Sequence, residues 1–132
     1  MLLFNPSPGQ IVDRLSILEL KLDHASRQAW FAIQGEIKAC QSALETKTPS
    51  VEKLAVYQVL SYQLREQNKK QWAFENDVRR AIKHLSDPPS YEELLDLCTS
   101  AKETHLGNEV RAKLVAQIDA LFDTVTEGKI YQ

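Results

Sequence analysis

Residues 51–85, VEKLAVYQVLSYQLREQNKKQWAFENDVRRAIKHL, decide the fold, because no Gly or Pro interrupts them. Tyr57, Leu60, Leu64, Val78, Ile82 and Leu85 recur at helical spacing and share one arc of a helical wheel. The stretch therefore predicts one helix of about 35 residues, roughly three times the usual length. Its ends are punctuated. Thr46-Lys47-Thr48-Pro49-Ser50 reads as a linker with Ser50 as N-cap, and Ser86-Asp87-Pro88-Pro89 stops the helix because the residue before Pro resists helical backbone.

Towards the N-terminus, Ser7-Pro8-Gly9-Gln10 combines an N-cap Ser, Pro at the first helical position and Gln at the third. Ile11, Leu15, Leu18 and Leu22 follow at spacings of four, three and four, predicting a helix from Pro8 to Asp23 or His24. Asp23 or Ser26 can cap a separate second helix, which carries Trp30, Ile33, Ile37, Cys40 and Leu44 to about Thr46. Towards the C-terminus, Ser90-Tyr91-Glu92-Glu93 is a capping box for a helix bearing Leu94, Leu97, Cys98 and Ala101 on one face. Gly107-Asn108 offers a stop and a fresh cap. The apolar face before Gly107 and the one after it (Val110, Leu114, Ile118, Leu121, Val125) differ by roughly 140°. Either the helix breaks at Gly107 or a continuous rod changes partners there. Residues 126–132 read as a short tail.

No period-two segment of strand length occurs, so the expected fold is all-α: an antiparallel bundle of four to five helices, one or two of them very long. At 132 residues and 15.0 kDa, residues 1–132 are expected to form a single helical-bundle domain. Hydrophobic residues at 43% and charged residues at 26% exclude a disordered chain. A net charge of -2 argues against a nucleic-acid coat, so nucleic acid is not an expected partner. No apolar run is long enough for a membrane span, and Met1-Leu2-Leu3-Phe4, which stops at Asn5-Pro6, does not make a signal peptide. Cys40 and Cys98 lack metal or redox spacing and read as reduced thiols of a cytoplasmic protein.

The long helix also carries a polar stripe. Asn68, Glu75 and Arg79 fall within its apolar arc and Trp72 lies at the edge, spaced four, three and four. Buried charge must be paired or solvated, and Glu75 and Arg79 at i,i+4 can pair. One reading is a polar layer that sets bundle register, as a buried Asn does in coiled coils. The other is a pocket in which Arg79 and Asn68 hold an anionic ligand over Trp72. The first helix is apolar on two sides, with Ile17 and Leu20 opposite its main stripe, which points to an interface with a second copy or to a central place in the bundle. Residues 65–84 carry three excess positive charges and residues 86–104 four excess negative ones, and blocks of this kind are expected to face each other or a partner subunit. Asn76-Asp77-Val78-Arg79 returns as Asn108-Glu109-Val110-Arg111, a similarity that amphipathic helices produce by chance.

Familiar chemical motifs are missing. His24, His84 and His105 have no carboxylate three residues earlier, Cys and His show no zinc spacing, and no P-loop, GxGxxG or GxSxG occurs, so neither metal nor cofactor is expected. Glu92-Glu93-Leu94-Leu95-Asp96 resembles half of the acidic Mg²⁺ motif of all-α nucleotide pyrophosphohydrolases, but Asp119 and Asp123 substitute poorly for the other half. Acidic residues in a first turn are expected from the helix dipole in any case.

The opening PSPGQIVDRLSILELK, residues 6–21, resembles that of a family of short bacterial helical proteins of unknown function, which begin with a close variant of PSPGEIVDRLTILEIK. The similarity continues through Asn68, Trp72 and residues 75–79, through residues 108–112, and through Glu127-Gly128-Lys129-Ile130-Tyr131. Gln10, His105 and Glu109 depart from the usual Glu, Tyr and Asp. The resemblance implies one continuous helix around Gly107 and brings no activity with it. The expected role is a non-enzymatic assembly or adaptor module acting as a homodimer. The alternative is a small-ligand binder or hydrolase, taking an anionic metabolite, with candidate residues Asp13, Arg14, Lys21, Asn68, Trp72, Glu75, Arg79, Asn108 and Arg111.

Overall fold

A computed structural model describes residues 5–47 and 49–122. It consists there of four helices and no strand: α1 (Pro8–Leu22), α2 (Arg27–Glu45), α3 (Val51–Lys83) and α4 (Tyr91–Asp119). Met1-Leu2-Leu3-Phe4, Thr48, Asp123, Val125 and the segment 126–132 lie outside the described residues. The caps act as expected at three starts. Ser7 and Gln10 complete a capping box on α1, Ser26 accepts from the Ala29 N–H on α2, and Ser90 and Glu93 complete a box on α4.

α3 and α4 form a long antiparallel hairpin. At 1.5 Å per residue α3 is about 50 Å long and α1 about 22 Å, so α1 covers only part of it. α1 runs parallel to α3, with Val12 beside Leu64 in the core, Ser16 at Asn68 and His24 stacked on Trp72 at 5.4 Å. It runs antiparallel to α4, where the Gly9 N–H donates to Asp119 Oδ1 at 2.6 Å. α2 returns along the outside of α1 and approaches neither α3 nor α4 along its backbone. The result is a three-helix body of α1, α3 and α4 with α2 on its flank. The remaining two-helix arm is formed by α3 beyond Trp72 and α4 before about residue 104. No described helix is long and apolar enough to cross a membrane.

Two alternatives that the sequence leaves open are decided here. α4 does not break at Gly107. Its inward residues are Glu93, Leu97, Ser100, Thr104, Gly107, Arg111, Leu114 and Ile118, an unbroken alternation of four and three. α3 answers with Tyr57, Leu60, Leu64, Gln67, Gln71, Phe74, Val78 and Ala81. This is an antiparallel heptad seam. Its middle is small and polar, so the apolar residues beside it mimicked a change of face. Gly107 is there for close approach: a Cβ would collide with the Gln71 Oε1 atom and meet Gln67 Nε2 at 3.0 Å. The second concerns α1. Its two apolar sides face α2, α3 and α4, and Ile17 and Leu20 are half-buried, lining a cleft with Trp72. α1 is central in its own bundle, so its second face no longer argues for a partner copy.

Candidate functional site

Midway along the hairpin the core turns from apolar to polar. Below this level Leu64 and Ile118 are fully buried. At it stands Asn68, whose Nδ2 donates to Asp13 Oδ1 at 3.0 Å and to Ser16 Oγ at 2.5 Å. Arg111 grips the same carboxylate with both prongs, Nε to Oδ1 at 2.8 Å and Nη2 to Oδ2 at 2.6 Å. Bidentate geometry of this kind is strong and directional. It raises the Arg111 pKa further, chiefly through the hydrogen bonds to Asp13, which partial burial opposes and to which attraction from Asp13 and Glu75 adds smaller amounts. One turn on, Gln71 Nε2 donates to the Thr104 carbonyl at 2.7 Å and Gln67 Nε2 to the Gly107 carbonyl at 3.4 Å. The buried Gln71 Oε1 lies against Gly107 without a hydrogen-bond partner.

A cleft of about 120 Å³ opens beside this layer, between the end of α1 and the middle of α3 and α4. Lys21, Asn68, Trp72, Glu75 and Arg111 line it. Five of the nine candidate residues therefore meet at one place, with Asp13 directly beneath them through Arg111. Asn108 lies on the other side of Arg111, in a shallower depression shared with Asp13 and Gln10. Arg14 lines a depression beside Asp13 and Cys40, but its Nη2 is held by Glu36 at 2.7 Å on the surface. Burial pushes the Cys40 thiol up, with Arg14 lowering and Glu36 raising it by smaller amounts.

Arg79 is elsewhere. It is exposed on the arm and donates to Asn76 Oδ1 at 2.7 Å, so the pair expected with Glu75 does not form. The physical reason is position: α1 ends before Arg79, and nothing there forces the guanidinium inward. The charge that enters the layer is Arg111, 32 residues later, and so the two Asn-x-Val-Arg segments are not equivalent in structure. Among the described residues the basic block pairs within α3 (Lys69 with Glu66, Arg80 with Asp77) or with α1 (Arg65 with Glu19), not with the acidic block. Asp119 of the pyrophosphohydrolase-like motif accepts from Gly9 and so tethers α1.

Sequence reasoning missed Ser16, Gln71 and Thr104. Only the heptad register could have found Gln71 and Thr104, because polar residues at seam positions are invisible to a search for apolar stripes. Comparison with protein-family models, curated proteins and solved structures finds no match to this chain.

Proposed function

We propose that this chain is a non-enzymatic helical assembly module whose α3–α4 arm docks on a second copy of itself. The observation that carries the reading is the uncovered arm. Ile82, Tyr91, Leu94 and Leu95 are 55%, 78%, 43% and 51% exposed on helices that no third helix covers. Grouped apolar exposure marks an interaction surface more often than scattered exposure does, and although Val51, Leu54, Val56, Val59 and Tyr62 are also exposed on the first half of α3, the arm is the part without a covering third helix. Charge favours a copy of the same chain as partner. The arm pairs a basic α3 end, with Arg79, Arg80 and Lys83, against an acidic α4 end, with Glu92, Asp96 and Glu103. A two-fold interface can lay each against its complement. In this reading the Asp13–Arg111–Asn68 layer sets the register of α1 on the hairpin. Both Asp13 oxygens are engaged in it, which suits a structural part better than a general base. The free Cys40 and Cys98 are in keeping with a reducing cytoplasm, and the opening with a bacterial source.

The test is light scattering coupled to size exclusion. At about 100 μM the chain should elute at twice 15.0 kDa, and Ile82→Glu with Leu94→Glu should return it to a monomer. A monomer before substitution would end this reading.

A further inference from the structure

The cleft beside the polar layer has a charge pattern that the assembly role leaves unused. Lys21 and Glu75 both line it, yet no ion pair within 4.0 Å joins them, and neither side chain makes a hydrogen bond among the described residues. The groups behind them are held in place. Arg111 commits Nε and Nη2 to Asp13, which leaves Nη1 without a partner among the described residues. Asn68 commits Nδ2 to Asp13 and Ser16, while its Oδ1 accepts no bond among the described residues. A fixed donor and a fixed acceptor in one cleft with a cation and an anion that do not pair make a preorganised dipolar receptor.

Charge selects the ligand class. Asp13 cancels Arg111, and Lys21 cancels Glu75, so the site is neutral as it stands. An anion alone would lie close to the Glu75 carboxylate, and a cation alone close to Lys21. A molecule with both charges meets neither penalty, because each end finds its opposite. Size agrees with this class. The cleft holds about 120 Å³, or roughly four water volumes of about 30 Å³ each, room for the charged end of a small molecule.

We propose that this cleft binds a small zwitterion of the α-amino-acid type, its carboxylate towards Lys21 and Arg111 Nη1 and its ammonium towards Glu75 and Asn68 Oδ1. The protein supplies its own reporter and its own control. Trp72 lines the cleft, whereas Trp30 stands on α2, 40% exposed and away from it. The full ¹⁵N-labelled chain is titrated with glycine and L-alanine to about 50 mM, with propionate and ethylammonium as single-charge controls at matched ionic strength. The Trp72 indole signal should shift and saturate with a Kd of about 1–10 mM, as befits so few atoms, while Trp30 stays still. Lys21→Met and Glu75→Gln, both at accessible positions, should each weaken binding about tenfold or more with the rest of the spectrum unchanged. Absence of a saturable Trp72 shift with either amino acid overturns the proposal. So does an equal response to propionate, or tighter binding by Glu75→Gln, since either would make this an anion site.

Discussion

The two halves of the α3–α4 hairpin share one heptad seam and differ in what lies on top of it. In the lower half α1 closes the third side, and Val12, Leu64, Ile118 and Phe122 are nearly or wholly removed from water. In the arm Phe74, Val78, Ala81 and Leu97 occupy the same seam positions, yet each is only half-buried. Two helices in contact bury one stripe apiece, and a third is needed to enclose a core. Stability should therefore be concentrated in the lower half and recognition at the arm.

The largest expected contrast is between seam positions. Leu64→Ala should cost about 3–5 kcal/mol by urea denaturation, as fully buried leucines do, and Val78→Ala only about 1 kcal/mol. Equal costs would mean that the arm is enclosed as thoroughly as the body. Next come the two arginines. Asp13→Ala strands Arg111, and because the two side chains retain 15% and 29% exposure, the loss should be about 2 kcal/mol, below that of a fully buried pair. Arg79→Ala, at an exposed site, should change stability by under about 0.5 kcal/mol. A substantial loss at Arg79 would place the register-setting layer on the arm.

Two glycines sharpen the contrast on a smaller scale. Gly107→Ala drives a methyl into the Gln71 amide and should cost about 1 kcal/mol despite the better helix propensity of Ala. Gly35→Ala, with nothing within 4 Å of the new atom, should instead stabilise by about 0.5–1 kcal/mol. The same unfolding assay reads both signs. The smallest effect belongs to the tip of the arm. There Glu93 accepts from the Ser90 N–H at 2.8 Å and from the Ser86 N–H and hydroxyl at 3.2 and 3.0 Å, and these bonds hold its carboxyl below the ordinary value of 4.5. Its contribution is present above that value and is lost as pH falls through the lower, folded-state value. Amide exchange at the start of α4 should accelerate in acid in the native chain and should lose that acid dependence in Glu93→Gln.

Much of the fold was legible because it rests on local physics. Ser7 with Gln10, Ser26 and Ser90 with Glu93 mark helix starts through hydrogen bonds spanning three residues, and the prolines at 88 and 89 act within one. The long third helix needs only the absence of Gly and Pro. The candidate site was legible in its residue types, since Asn68, Trp72 and Glu75 on α3 do face the cleft, but not in its pairing.

The chain alone thus settles which segments are helical and where they start, because capping and backbone preference act over a few residues. Tertiary structure decides the rest: Arg111 and not Arg79 as the charge drawn into the layer, Gly107 as a point of close approach and not a break, and α1 as the central helix. Each of these depends on which helix lies across which, and an ion pair spanning 98 positions, such as Asp13 with Arg111, leaves no periodicity in the sequence by which to recognise it.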